Sequence, residues 1–298
     1  MTKHIRTLLE KDFPHVEALD TGIDDDYIKR VFPRLITGSN RLYGLFLDNQ
    51  LVSVAGYTIY ATSYAMLGRL RSDRRFKGSG FSTELFAHVL HEAFQVEGIQ
   101  WVGANTQEHN TPAQRVLEKN NLVPQTMLHG ARTKDVSQLM TDAEPWNPVT
   151  DLKRKKEWVE EMYVKPGGIF PYQCFYPFPS SWDLFSDENL NSWSFYENAE
   201  KSRALIIKTD QKRYLFLHAL YPWSDITSQP GLWETVTKEY QKLTVGVDEE
   251  SFIWMDLTKE EAASLPENHP FELPSPWILY GIDKPQWQAL EQRMYAKR

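Results

Sequence analysis

The run Arg75-Phe76-Lys77-Gly78-Ser79-Gly80 is the feature that most constrains this chain. It directly precedes an amphipathic helix pattern over residues 81–96, and Gly98 is placed to end that helix. A helix N-terminus has backbone N–H groups without partners and carries the positive end of the helix dipole. Glycines before it let an oxyanion approach the backbone closely. The sequence therefore predicts a phosphate-binding turn.

Two common phosphate loops are excluded by the same residues. In a Walker loop the lysine follows the glycines, whereas Lys77 precedes Gly78 here. A Rossmann turn needs a third glycine or an alanine at the place where Thr83 stands. The remaining pattern, Arg-x-x-Gly-x-Gly, is also compatible with an ordinary tight turn that carries solvated basic residues.

The segments around this turn predict a mixed α/β domain. Strand-like runs precede it at residues 41–47, 51–61 and 64–72, and another follows it at residues 99–106. A short helix comes next, with Asn110 as its N-cap and a proline in its first turn.

The second half of the chain repeats this order of elements without the glycine-rich turn. Strands are predicted at residues 192–197, 203–209, 213–221, 251–257 and 277–282, and helices at residues 231–243 and 259–265. The segment that corresponds to the glycine-rich turn contains Asp225, which is acidic, and Pro230, which has no N–H group to donate. We predict two lobes, residues 1–148 and 149–298, of which the second is a degenerate copy without a phosphate loop.

The composition is typical of a globular protein and argues against some classes of binding partner. The chain has 298 residues, long enough for about two domains, with 41% hydrophobic and 24% charged residues. A net charge of -7 argues against nucleic acid as a partner. No apolar run reaches the ~20 residues of a membrane span, and the N-terminus lacks a secretory signal. With Cys174 as its only cysteine, the protein is expected to be cytoplasmic, without disulfides, and this thiol to lie in the core.

No metal site is expected from the sequence. His88 and His91 lie one helical turn apart, but no third ligand has suitable spacing. The basic run Lys153-Arg154-Lys155-Lys156 is balanced by three glutamates at positions 157, 160 and 161, which predicts a solvated helix face.

The turn and the order of elements over residues 4–135 resemble the GNAT superfamily of acyl-CoA N-acyltransferases. In that family an Arg/Gln-x-x-Gly-x-Gly/Ala loop holds the pyrophosphate of coenzyme A, and residues 75–80 match its defining positions. A second family motif is similar to residues 110–122, where the matching positions are Asn110, Ala113, Glu118 and Lys119. Leu117 replaces the tyrosine with which many members protonate the leaving thiolate, so the resemblance supplies no general acid there.

The resemblance implies acetyl-CoA as the acyl donor and no metal. Main-chain groups near the ends of the fourth and fifth strands are expected to hold the pantetheine and polarise the thioester. The residues expected to bind the donor are Leu70, Arg71, Ser72, Arg75, Phe76, Lys77, Gly78, Ser79, Gly80, Phe81, Ser82, Asn105, Asn110 and Ala113.

Catalytic groups have weaker sequence support. No acidic residue lies between Tyr64 and Ser72, so the fourth-strand carboxylate of many relatives is missing. Glu108 and His109 follow the fifth strand and are the candidates to deprotonate the amine; the alternative is an exposed loop pair. Tyr27 is a further candidate acid, and its alternative is a buried structural role.

The acidic run Asp24-Asp25-Asp26 precedes a predicted helix over residues 27–37. It is expected to cap that helix and complement its dipole. The alternative is a contact with a cationic substrate.

The two-lobed layout resembles the GNAT group that includes histidine N-acetyltransferase. This likeness depends on residues 19–27, on the segment around Arg69 and on the aromatic residues Trp193, Phe195 and Tyr196. It implies N-acetylation of a free amino acid or another small amine by direct acyl transfer. Two alternatives stay open: a CoA-binding module without catalysis, and an aminoacyl-tRNA-dependent ligase, against which the acidic charge counts. The oligomeric state is not determined by the sequence.

Overall fold

A computed structural model describes residues 2–295. Over these residues the strands β1 to β14 are Lys3–Thr7, Asn40–Leu47, Gln50–Tyr60, Tyr64–Ser72, Trp101–Gln107, Val123–Thr133, Asn147–Val149, Ile169–Gln173, Tyr176–Pro179, Ser194–Glu197, Ala204–Gln211, Leu215–Leu220, Ser251–Thr258 and Trp277–Asp283. The helices α1 to α9 are Phe13–Glu17, Tyr27–Leu35, Phe81–Gln95, Thr111–Lys119, Leu152–Val159, Asp187–Ser192, Leu232–Thr244, Lys259–Ser264 and Lys284–Tyr295.

The chain forms two compact units. Unit 1 contains the residues up to Gln125 together with those from Ile278 onward, and unit 2 is Thr126–Trp277. This division differs from the predicted boundary at residue 148. The physical reason is strand pairing that periodicity does not show: most of β6 pairs with β13 of unit 2, and β14 lies next to β5 of unit 1.

Unit 1 is a mixed sheet in the order β1-β2-β3-β4-β5-β14. The strands β1 to β4 are antiparallel neighbours, and β5 runs parallel to β4. Leu42 of β2 packs with Ile28 and Phe32 of α2, whereas the ring of the next residue, Tyr43, contacts His88 of α3. Because successive strand residues point to opposite faces, α2 and α3 cover opposite faces of this sheet.

Unit 2 has the sheet order β6-β13-β12-β11-β10-β7, in which only the β12–β13 pair is parallel among the described strands. Helix α7 packs on one face, where Trp233 and Val236 join a large apolar cluster with Leu217 and Ile253. The hairpin formed by β8 and β9 covers other residues of the sheet: Cys174, which follows β8, packs with Phe216, Phe252 and Trp254. The fold is thus a GNAT-like α/β arrangement that occurs twice, as the order of elements predicted.

One expectation of surface exposure is wrong. Lys155 of α5 is buried, and its Nζ donates hydrogen bonds to the main-chain oxygens of Leu190 and Trp193 at 2.7 and 2.8 Å. Two carbonyls replace water around the ammonium group, so this position of the basic run faces the interior. Cys174 is a buried free thiol, as expected.

Residues 2–295 contain neither a metal-binding cluster nor a membrane-spanning helix. No group of three or more His, Cys, Asp or Glu residues is placed to hold a metal ion. None of the described helices has the length and apolar character that a membrane crossing requires.

Candidate functional site

The parallel strands β4 and β5 separate part-way along their length. They pair from Tyr64 opposite Trp101 to Leu67 opposite Ala104, although β4 continues to Ser72 and β5 to Gln107. Beyond the last pair, β4 makes a bulge against β3, in which Arg69 has a φ of 59°. A bulge bends its strand and ends regular pairing, which accounts for the separation.

The separation leaves an open space beside β4. Residues 64–67 are buried, whereas residues 68–72 are only half-buried. A Cβ atom added at Gly68 would meet nothing within 4 Å. An isolated glycine within a strand pattern is a signal for such a bulge, and it could have been recognised in the sequence.

The loop from β4 to α3 presents an open helix N-terminus. Gly78 and Gly80 have φ values of 84° and 80°, in the left-handed region that favours glycine. Gly80 is the N-cap of α3, and no side chain caps this end. A Cβ at either glycine would meet nothing within 4 Å. The first-turn N–H groups are thus available to an anion.

Side chains of the loop are engaged within the protein. The Arg75 guanidinium donates to Asp73, with Nε 2.8 Å from Oδ1, and Asp73 is fully buried. Hydrogen bonds from Arg75 lower the pKa of Asp73 to about 2. The hydroxyls of Ser72 and Ser82 lie 2.5 Å apart. Arg75 and Ser82 therefore shape the loop through their side chains, and the Arg75 N–H also donates to Asp73 Oδ1 at 3.0 Å.

An ion pair joins the end of β4 to the start of α2. Asp26 accepts a hydrogen bond from the Ile28 N–H at 3.2 Å and one from Arg71 Nε at 2.7 Å. Burial would raise the pKa of Asp26, but hydrogen bonds and charge from Arg71 outweigh it and lower this pKa. The helix-capping interpretation of the acidic run is confirmed at Asp26. Tyr27 is 44% exposed, with its ring 5.6 Å from the Arg71 guanidinium, so it is not a buried structural tyrosine.

The remaining predicted residues lie at the end of β5 and the start of α4. Glu108 is half-buried and His109 exposed in the turn after β5, and the Gln114 side chain donates to the Glu108 carbonyl at 2.5 Å. The Asn110 side chain accepts a hydrogen bond from the Ala113 N–H at 3.3 Å and caps α4. Leu117 is buried in that helix.

In unit 2 the corresponding helix N-terminus is closed. Gly231 begins α7 with a φ of 77°, at the same distance in sequence from the start of β12 as Gly80 is from the start of β4. A Cβ at Gly231 would lie 2.4 Å from the Glu144 carbonyl oxygen. The Glu234 carboxylate accepts hydrogen bonds from the Thr141 N–H and hydroxyl at 2.5 and 3.1 Å. The chain's own carboxylate and loop take the place that an anion would need.

Most of the first unit matches a known family. Residues 3–121 match the acetyltransferase (GNAT) family. Members of that family transfer an acyl group from acetyl-CoA. No curated protein matches the chain.

Solved structures extend the GNAT-like fold over nearly the whole chain. A GCN5-related N-acetyltransferase from Sphaerobacter thermophilus is 14% identical, with a TM-score of 0.55, and the match covers 94% of this chain and 95% of that one. A candidate acetyltransferase from Pyrococcus horikoshii is 10% identical, with a TM-score of 0.52, over 95% and 89% of the two chains. At these identities the likeness shows the fold alone.

Proposed function

We propose that this protein is an acetyl-CoA-dependent N-acetyltransferase that acts on a small amine or a free amino acid by direct acyl transfer. The observation that carries the proposal is the open N-terminus of α3, beside the separated ends of β4 and β5, within the part of the chain that matches the GNAT family. The amino-acid class of acceptor comes from the resemblance to the histidine N-acetyltransferase group.

The residues present fit an acyl-CoA donor. The N–H groups of the loop and first turn suit the pyrophosphate, and the open strand ends suit the pantetheine. The donor site is assigned to Leu70, Arg71, Ser72, Arg75, Phe76, Lys77, Gly78, Ser79, Gly80, Phe81, Ser82, Asn105, Asn110 and Ala113. When bound, acetyl-CoA supplies an activated thioester.

Proton transfer has to use groups outside the usual family position. Leu117 has no proton to give and lies buried in α4. Glu108 and His109 lie just past β5 and are assigned to remove the proton of the amine. Tyr27, exposed beside Arg71, is assigned as the acid.

Donor binding is tested with Gly80→Asp and the matched control Gly246→Asp. Both glycines are exposed, have positive φ and leave open space for a Cβ, so both variants carry the same kind of backbone strain. Charge-assisted hydrogen bonds contribute about 1.5 to 3 kcal/mol each, and a carboxylate repels the pyrophosphate. We expect calorimetry to show one acetyl-CoA per wild-type chain, an affinity at least ~100-fold weaker for Gly80→Asp, and no change for the control. Unchanged binding by Gly80→Asp, or two sites per wild-type chain, would contradict this assignment.

Catalysis is tested with Glu108→Gln and the exposed control Glu97→Gln. Loss of a positioned base lowers the rate by ~10²- to 10⁴-fold. The loss is smaller where solvent can accept the proton instead. We expect turnover of an amine panel to fall at least ~10-fold for Glu108→Gln, with acetyl-CoA affinity unchanged. Turnover within twofold of wild type would reject Glu108 as the base. Donor binding without turnover of any amine would favour the alternative, a CoA-binding module without catalysis. The leucine at position 117, where many family members have a tyrosine, supports this alternative.

A further inference from the structure

Arg69 places a positive charge without an acidic partner at the opening between β4 and β5. Its Nη2 donates to the Thr58 hydroxyl at 2.6 Å and to the Asn40 side-chain oxygen at 3.2 Å. The Thr58 hydroxyl in turn donates to the same Asn40 oxygen at 2.6 Å. Both acceptors are neutral, and no acidic side chain among residues 2–295 pairs with Arg69.

The other arginines between residues 69 and 75 are neutralised. Arg71 pairs with Asp26, Arg74 with Asp20 and Arg75 with Asp73, so that each of these guanidinium groups has its own carboxylate. Arg69 is half-buried, which screens its charge less than that of a fully exposed side chain. The local charge is therefore balanced everywhere along this segment except at Arg69.

The backbone at Arg69 is strained. A φ of 59° is unfavourable for a residue with a side chain, and a glycine would adopt it without this cost. Strained positions of this kind are concentrated at functional sites. Since glycine would serve the bulge better, the reason for an arginine here lies in its side chain.

The guanidinium lies on the face of the sheet opposite to α3. Thr58 and Asn40 are register partners in β3 and β2, on the face that also carries the α2 cluster, and α3 with the donor loop covers the other face. Arg69 is two residues beyond Leu67, so its Cα is roughly 7 Å from the last β4–β5 pair. The described hydrogen bonds use only Nη2, which leaves Nε and Nη1 for a planar anion.

We propose that Arg69 binds a carboxylate of the acceptor, so that the substrate is an α-amino acid and not an amine without a carboxyl group. This inference rests on the proposed N-acetyltransferase function and narrows its substrate class. Arg69 is then a specificity-determining residue: it holds the carboxylate, and the amine on the neighbouring carbon faces the opening beside Gly68.

The test compares amines that differ only by the carboxyl group, namely histidine with histamine and tyrosine with tyramine. The variants are Arg69→Gly, which relieves the strain, and Arg69→Lys, which keeps the charge without the bidentate edge. Arg41→Met is the matched control, because Arg41 also donates only to neutral oxygens, those of Gly38 and Asn40. Readouts are kcat and KM for each amine, binding of each amine to the protein–CoA complex, thermal midpoint and acetyl-CoA affinity.

We expect wild type to prefer the amino acids by about 10- to 100-fold in kcat/KM, the range that one charge-assisted bidentate contact supplies. Arg69→Gly should unfold at or above the wild-type temperature, bind acetyl-CoA normally and lose this preference, chiefly through a higher KM for the amino acids. Arg69→Lys should keep part of the preference for amino acids, and Arg41→Met should keep all of this preference.

Equal binding of the paired amines by wild type, or an equal loss for both amines in Arg69→Gly, would overturn the role of Arg69 while leaving the acetyltransferase proposal in place. Failure of wild type to bind acetyl-CoA would overturn the proposed function and this inference with it.

Discussion

Residues that carry charge decide the local shape of both units. In unit 1, the pair of Arg71 with Asp26 joins the end of β4 to the start of α2, and the pair of Arg75 with Asp73 lies within the loop that follows β4. Removing the arginine of either pair is costly, because the carboxylate that remains is buried and keeps its desolvation cost. They therefore fix the backbone beside the opening between β4 and β5 before any ligand binds.

Lys208 is the corresponding charged residue in the interior of unit 2. Its Nζ donates to the main-chain oxygens of Pro171 and Tyr172 at 3.1 and 2.5 Å, and it lies 4.7 Å from the ring centroid of Trp193. Burial lowers the pKa of Lys208 to about 7. The side chain thereby attaches the β8–β9 hairpin to β11.

This pKa predicts a specific pH dependence of stability. An unfolded lysine holds its proton up to a pH of about 10.4, whereas folded Lys208 releases it near pH 7. The unfolded state thus binds more protons between these values, and the free energy of unfolding should rise with pH across that range. We expect urea unfolding from pH 7 to 9.5 to show this rise in wild type and its reduction in Lys208→Met. Parallel pH curves for the two proteins would contradict the assigned pKa.

At the scale of elements, α3 and α7 show how equivalent helices can differ at one end. Both start at a glycine with positive φ, and both lie on one face of a sheet whose central strands are parallel. The N-terminus of α3 is open, whereas Glu234 and the loop from Thr141 close that of α7. The difference between the two helix ends therefore comes from a few side chains and one loop.

The last helix, α9, stabilises α3 from the far end of the chain. The ring of Trp287 stacks on Phe94 of α3 with centroids 4.6 Å apart, and Glu291 lies 3.1 Å from His91 Nδ1. Trp287 is buried, although the sequence analysis predicted no element after residue 282. The helix that carries the candidate donor site is thus supported by residues far away in sequence.

We expect Trp287→Ala to lower the free energy of unfolding by about 3 kcal/mol, because it removes a large buried ring and leaves a cavity against α3. The control is Trp182→Ala, whose side chain is 44% exposed and should cost less than about 1 kcal/mol. Both are measured by urea denaturation. Equal effects of the two substitutions would show that α9 does not support α3.

At the scale of the whole molecule, the two units exchange strands. Each unit contains a strand that comes, in the sequence, directly after elements of the other unit. Strand β6 comes directly after α4 of unit 1 and pairs with β13 of unit 2, while β14 follows the elements of unit 2 and lies beside β5 of unit 1. A single cut in the middle of the chain therefore cannot separate two complete sheets.

This exchange predicts the behaviour of fragments. A fragment of residues 1–148, which follows the boundary expected from sequence, lacks β14 and α9 and leaves the edge of β5 open. We expect it to show no cooperative unfolding alone and to recover cooperativity when mixed with residues 149–298. The full chain is the control. A cooperative transition of residues 1–148 by themselves, followed by circular dichroism, would mean that the exchanged strand is dispensable.

The sequence by itself determined the elements whose signals are local. The predicted strand at residues 64–72 has the bounds of β4, and the predicted helix at residues 81–96 ends within one residue of α3. Gly78 and Gly80 have positive φ values, which glycine adopts readily, and Asp26 and Asn110 are the predicted N-caps. Periodicity, glycines and caps act over a few residues, which is why they can be recognised without the fold.

Only the tertiary structure decided what depends on distant partners. Strand exchange, the burial of Lys155 and Lys208 and the stacking of Trp287 on Phe94 all join residues from separate parts of the chain. In the sequence, nothing distinguishes Arg69 from the neighbouring arginines. Its lack of an acidic partner follows from where Asp20, Asp26 and Asp73 direct their carboxylates. Strand pairing and charge balance depend on residues that are close in space, and the order of residues in the sequence does not show which residues these are.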